Sequence, residues 1–334
     1  MGSPALAELS FDLDQKFSGA MRLEQAVGEM PHVFVTGLAR AGTTALLRAL
    51  HSTGAFRSLT YRDMPFPLAP NLWARMSRRW RENHVAQERA HGDGMAIDAD
   101  SPEALEEVFW RVHAGRDYIR RKALVSHPVD EVLARRFRRY VAAILASAPA
   151  GQQRYLSKNN NNILRLSDLR TAFPRALILL PFRHPADHAL SLWRQHLHFC
   201  AVQAADRFVR SYMDWLVHRE FGSGHLRFRL DGASASLLPE VSPDRPDYWL
   251  ALWIEVHEVL LTHVQEGNLF VCHEKLCADP SLWARLCARL DLPGATDPGF
   301  RLASSLGANG FNPLLMDRAR HLYDDLCRRA DASC

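Results

Sequence analysis

Lysine is almost missing from this sequence: of 41 basic side chains only four, Lys16, Lys122, Lys158 and Lys275, are lysines. Such an arginine bias suggests a GC-rich genome and makes a lysine inside a motif worth weighing. No sign of charge dominates either. The 41 basic and 37 acidic residues leave a formal net charge of +4 over 334 residues, too small a surplus to imply nucleic-acid binding from charge alone. No apolar run approaches the ~18 residues of a membrane span. Glu8, Asp12 and Asp14 stand where a secretory signal would be basic and then apolar, so a cytoplasmic protein that does not contact membrane is expected. The six cysteines, Cys200, Cys272, Cys277, Cys287, Cys327 and Cys334, show neither C-x-x-C pairs nor the compact spacing of a disulfide scaffold, and reduced thiols are expected. Sixteen histidines are scattered without a second-ligand pattern, so no metal is expected.

What is present is an ordinary globular composition, 47% hydrophobic and 23% charged, too apolar for a largely disordered chain. Its length suits one α/β domain, 1–334, with an insertion. Residues 32–37 read as a short buried strand and 43–53 as a helix closed by Gly54. Residues 155–158, 176–182 and 269–273 read as further strands, and such runs separated by helical stretches predict a parallel sheet flanked by helices. Residues 62–150 read as a helical insertion. Within it, Ser101, Pro102 and Glu103 resemble an N-cap, a first-turn proline and an acidic first turn, predicting a helix to about residue 113. Residues 223–247 read as a loop and 248–264 as an amphipathic helix.

Gly37-Leu38-Ala39-Arg40-Ala41-Gly42-Thr43-Thr44 has the glycine spacing of a phosphate loop, in which backbone N–H groups and a helix N-terminus face an anion. The eighth position keeps a hydroxyl. The seventh is Thr43 where a nucleoside triphosphatase has lysine, and the cation sits earlier, at Arg40. No strand ends in the acidic residue that would hold magnesium, because residues 176–182 run into Arg183. Arg183-His184-Pro185 opens a helix in which His184, His188, Ser191, Gln195 and His198 make one polar stripe, with Ala186, Leu190, Trp193 and Leu197 facing elsewhere as a core side would. Arg183 and Ser191 can jointly hold a second phosphate, one by charge and one by hydroxyl.

Together these residues resemble the sulfotransferases that use 3′-phosphoadenosine-5′-phosphosulfate (PAPS), in particular the bacterial and carbohydrate branches. Their first phosphate motif is similar to residues 37–44, and their second pairs an arginine with a serine eight residues later, as Arg183 and Ser191 do. Val271-Cys272-His273-Glu274-Lys275-Leu276 is similar to the family's strand ending in Glu-x-Leu, and Lys158 lies where family members carry a lysine. The likeness spans about 32–290. It implies a three-layer P-loop-like α/β fold whose inserted segment shapes the acceptor pocket. It also implies an enzyme that transfers a sulfuryl group from PAPS to a hydroxyl or amine of a small-molecule or carbohydrate acceptor, releasing adenosine 3′,5′-bisphosphate without a metal. Gly37, Ala39, Arg40, Ala41, Gly42, Thr43 and Thr44 would hold the 5′-phosphosulfate, Arg183 and Ser191 the 3′-phosphate, and Lys158 the sulfuryl oxygens. Homo-oligomerisation stays open.

The cytosolic branch carries a histidine two residues after that lysine, where this chain has Asn160. The base is therefore expected elsewhere, and Asp63, shortly after the first helix, is the candidate, with His91, Asp93, Glu106 and Glu107 as competitors. The family's C-terminal Arg-Lys-Gly segment is absent, and residues 307–310 are the substitute considered. The asparagines 159–162 fit either a polar lining or a capped turn. Arginine clusters at 75–81 and 135–139 read as solvated helix faces, and Trp73, Trp80 and Trp110 as core. The rival readings are a P-loop kinase or other phosphoryl transferase, and a non-catalytic polyanion-binding protein.

Overall fold

A computed structural model describes residues 4–80, 87–88, 96–97, 99–149, 151–231, 241–263, 267–292, 294–302 and 310–333. Helices α1 (Pro4–Ser18) and α2 (Ala20–Gly28) precede β1 (Val33–Val35), α3 (Thr43–His51) and β2 (Phe56–Arg57). Next come α4 (Pro70–Met76), the pair β3 (Gln87–Glu88) and β4 (Ala96–Ile97), α5 (Glu107–Tyr118), β5 (Ala123–Val125) and α6 (Glu131–Ala146). The chain continues through β6 (Arg154–Lys158), α7 (Leu166–Ala172), β7 (Leu177–Phe182), α8 (Pro185–Ala205), α9 (Arg207–Trp215) and β8 (Arg227–Arg229). It closes with α10 (Pro246–Thr262), β9 (Asn268–Cys272), α11 (His273–Ala278), α12 (Pro280–Arg289) and α13 (Pro313–Ser333).

The central sheet has the order β2-β6-β1-β7-β9 with every pairing parallel. Its strands alternate strictly. Phe34, Tyr155, Ile178, Leu180, Phe182 and Phe270 enter the larger core, with α1, α2, α5, α6, α8, α10 and α13. Val33, Val35, Leu156, Leu179, Leu269 and Val271 enter the smaller one, beneath α3 and α12. A period of two on a sheet covered on both faces produces the three layers and explains why β1 and β7 read as uninterrupted apolar runs. Register sets β1 and β6 level at their carboxyl ends, with Val35 opposite Lys158, and carries β7 and β9 beyond them, with Val35 opposite Leu179 and Phe182 opposite Cys272. Residues 37–44, 158–160, 183 and 273 consequently leave the sheet along one edge, where parallel α/β sheets place their ligands.

Local structure departs from expectation in three places. Residues 101–105 form no helix: Pro102 bridges to Thr60 and the Glu103 N–H donates to Leu59 O at 3.0 Å, so α5 begins only at Glu107. Pairing with residues 59–60 satisfies the backbone that a first helical turn would have used. Residues 227–229 of the expected loop form β8, parallel to β5. In α8 the polar stripe is mixed. His188 and Gln195 are buried, His184 and Ser191 half-buried and His198 exposed, while on the expected core side Ala186 and Leu190 are buried and Leu197 is exposed; the buried His188 Nε2 finds its partner in Ala39 O.

Burial keeps many histidines neutral. The His32 ring is enclosed between Val27 O, at 2.9 Å, and the Tyr155 N–H, at 3.0 Å, and burial pushes it down to about 4. Burial likewise lowers His113, His127, His225 and His257 to about 4, and His188 well below its ordinary value. In the unfolded chain these rings take up protons near pH 6.5, whereas in the folded chain His32, His113, His127, His225 and His257 do so only near 4. The unfolded state therefore binds more protons between those values, so stability rises with pH across that window and is lost as pH falls through it. Each fully buried ring contributes up to ~1.4 kcal/mol per pH unit. The urea midpoint is expected to drop steeply between about pH 7 and about pH 5; equal midpoints would show that these rings charge without unfolding the chain.

Candidate active site

Helix α3 starts at Gly42, whose φ of 87° and lack of a side-chain cap leave the first-turn N–H groups directed at the sheet edge. Thr43, buried, and Thr44 follow, and Ala39, Arg40, Gly42, Thr43 and Thr44 line a cleft there. Arg40 has φ 69°, a left-handed backbone uncommon for a residue with a side chain. Two contacts hold it: Arg183 Nη1 donates to Arg40 O at 3.2 Å, and His188 Nε2 donates to Ala39 O at 2.8 Å. With both carbonyls drawn toward α8, the loop turns its amides toward the cleft. Gly37, at φ 143°, lets the loop pass close to Pro181 O, and a Cβ there would lie 3.3 Å from that oxygen.

Arg183 follows β7 directly and lines the same cleft. Its Nε lies 3.8 Å from Glu274 Oε1, the oxygen that also accepts from the His184 N–H at 2.9 Å. That Nε is buried and makes no hydrogen bond among the described residues. Ser191 stands two turns into α8, where its Oγ accepts from Arg40 Nε at 3.2 Å; it is not among the described residues lining the cleft, nor are Gly37 and Ala41. Arg40, Arg183 and Ser191 are thus brought together around one loop.

Lys158 ends β6 and lines the cleft with Asn160. The asparagines serve as anchors. Asn159 Nδ2 donates to Glu107 Oε2 at 2.7 Å, Asn160 Nδ2 to Glu220 Oε1 at 2.9 Å, Asn161 Nδ2 to Val217 O at 3.2 Å and Asn162 Nδ2 to Glu106 Oε1 at 2.8 Å. Burial alone would raise the Glu220 carboxyl, but the neighbouring His218 imidazole, the Lys158 charge and the Asn160 amide outweigh that and bring it down to about 2. Glu103, Met213, His218, Glu220, Phe221, His273 and Arg301 complete much of the lining.

Of the expected base candidates, Asp63 is not among the described residues lining the cleft. Its oxygens accept from Arg57 Nη2 at 2.7 and 3.0 Å, and Oδ2 also accepts from the Thr60 N–H at 2.7 Å, closing a capping box. Glu106 and Glu107 are buried: Glu106 accepts from Trp110, Tyr155, Asn159 and Asn162, while Glu107 is ion-paired to a fully buried Arg165 at 2.9 Å. Both are spent on holding α5 against β6. His91 and Asp93 lie outside the described residues, as do residues 307–309.

A family model described as the sulfotransferase family matches residues 31–227, well over half of the chain. This chain belongs to the sulfotransferase family. No curated protein matches it. Solved structures similar to it include the sulfotransferase STF1 of Mycobacterium tuberculosis, 16% identical, covering 98% of this chain and 80% of that one with a TM-score of 0.48. A sulfotransferase of Alicyclobacillus acidocaldarius is 13% identical over 91% and 95% of the two chains, with a TM-score of 0.42. STF9 of Mycobacterium avium is 14% identical over 89% and 68%, with a TM-score of 0.44.

The cleft of this sulfotransferase is rich in fixed positive charge, from Arg40, Lys158, Arg183 and Arg301. Among the described residues, no three His, Cys, Asp or Glu side chains gather as a metal site, and no helix is long and apolar enough to cross a membrane. The sequence reading missed His218, Glu220, His273 and Arg301. Only His273 carried a signal, by following a strand; the others lie on turns and chain segments whose placement no local pattern encodes. Two outcomes follow. A Cβ at residue 42 would meet His273 Nδ1 at 2.6 Å on a left-handed backbone, so Gly42→Ala is expected to lower unfolding stability by about 1–3 kcal/mol; a denaturation midpoint equal to the wild type would contradict the crowding. Asp63→Asn should lower unfolding stability by about 3 kcal/mol, because Arg57 is left buried without its counter-charge, and a denaturation curve equal to the wild type would contradict that role.

Proposed function

We propose that this sulfotransferase uses PAPS as donor and releases adenosine 3′,5′-bisphosphate. The observation that carries the reading is the convergence, along one sheet edge, of an uncapped helix N-terminus, Arg40, Lys158 and Arg183. These groups fit an anion with a terminal transferable group: first-turn amides for phosphate oxygens, cations for the charge that develops, and at Arg183 a buried donor still lacking a hydrogen bond. PAPS would supply an activated sulfur–oxygen bond. Gly42, Thr43 and Thr44 would hold its 5′-phosphate, Arg40 the bridging oxygen and Lys158 the sulfuryl oxygens, where in-line transfer places negative charge. Arg183, steadied by Glu274, would take the 3′-phosphate with Ser191, and Arg301 is placed to cover the same cleft from the C-terminal part of the chain.

On the acceptor side, Met213 and Phe221 add apolar surface to the cleft, suited to a small molecule with a hydroxyl or amine. The described cysteines are free thiols, the state expected in the cytoplasm. Calorimetry tests the reading: adenosine 3′,5′-bisphosphate should bind well above 5′-AMP without magnesium, and Arg183→Ala should weaken it on the order of 10- to 100-fold. Equal binding of the two nucleotides would overturn it.

A further inference from the structure

Resting on the sulfuryl-transfer reading, we infer that His218 is the proton acceptor of the reaction and that Glu220 orients it, the pair taking the place of the histidine absent at residue 160. His218 lines the same cleft as Lys158, Arg40 and Thr44. Its Nδ1 lies 3.6 Å from Glu220 Oε2, which leaves Nε2 as the nitrogen remote from the carboxylate. A histidine whose one nitrogen faces a carboxylate while the other meets the acceptor is the arrangement general-base catalysis requires.

Three features show that this turn is built and held. Val217, β-branched and buried, sits at φ 54°, a conformation such a residue adopts only when its surroundings impose it. The imposition is visible: the His218 N–H donates to Met213 O at 2.9 Å, and Asn161 Nδ2 donates to Val217 O at 3.2 Å. Asn160 then holds Glu220 Oε1 at 2.9 Å. The asparagines that follow Lys158 thus pin the 217–220 turn to the end of β6, and the position where a histidine would stand instead grips the carboxylate behind another histidine. Glu220 is kept ionised by its neighbours, ready to balance an imidazolium.

In the step assigned to them, the acceptor oxygen bonds to sulfur while the bond between sulfur and the 5′-phosphate oxygen breaks. The electron pair of the broken bond stays on that phosphate oxygen, beside Arg40. The acceptor's proton passes to His218 Nε2, and water later removes it. No oxidant, reductant or metal is needed for this balance.

The test exploits acceptor acidity. At about pH 8, labelled PAPS is supplied with water alone, with phenol and with p-nitrophenol, which is largely ionised at that pH and needs no base. His218→Gln should bind adenosine 3′,5′-bisphosphate within about threefold of the wild type, yet lose transfer to phenol and to water on the order of 100-fold. Transfer to p-nitrophenol should fall far less, and Glu220→Gln should show the same ordering in weaker form. A variant that keeps the wild-type rates, or loses all of them equally while still binding the bisphosphate, would overturn the assignment of the base alone. A wild-type chain that does not bind the bisphosphate would overturn the sulfuryl-transfer reading and this assignment with it.

Discussion

The cleft depends on how two backbone carbonyls are held. Ala39 O and Arg40 O accept hydrogen bonds from His188 and Arg183, and this tether fixes a loop whose Arg40 would otherwise avoid a left-handed backbone. Once the loop is fixed, the N-terminus of α3 opens toward the sheet edge and its amide dipoles act together on an anion. The holding groups are themselves placed with care. His188 is neutral because it is buried, which suits it to donate one hydrogen bond without bringing a charge into the core. Arg183 is a cation steadied by Glu274, which Tyr323 of α13 approaches in turn at 3.4 Å.

The second support is the polar cluster beneath β6. Burying Glu106, Glu107 and Arg165 is costly unless every lone pair and N–H finds a partner, and here they do so through Asn159, Asn162, Tyr155 and Trp110. Two of the four asparagines face this cluster and two face the 217–220 turn, so a single short segment joins the hidden scaffold to the reacting edge. A stretch of sequence that read equally as pocket lining or as a capped turn is neither alone: it is a clasp between layers.

Much of the sheet was legible because strands buried on both faces carry a signal that depends on few residues. Four of the five sheet strands account for that, β1, β6, β7 and β9 being found within a residue or two of their true bounds, whereas the two-residue β2 was not read. Legibility failed where tertiary pairing competed with local preference. Ser101-Pro102-Glu103 has good helix-start chemistry, yet Thr60 and Leu59 capture it as an extended segment. The polar stripe of α8 was visible as a stripe, but the burial of His188 and Gln195 within it was not, because periodicity gives a face and not the neighbour that face meets.

By itself the sequence determined the glycine loop, the cations at Arg40, Lys158 and Arg183, and the parallel α/β class, since each is written in local spacing that the backbone must obey. Only the tertiary structure decided which acids are scaffold and which side chains share the cleft. Asp63 is committed to Arg57 and to the Thr60 N–H, while His218 and Glu220, some sixty residues beyond Lys158, arrive beside it. The physical reason is that a carboxylate or an imidazole takes its role from its partners, and partners brought together by a sheet edge are invisible in chain order.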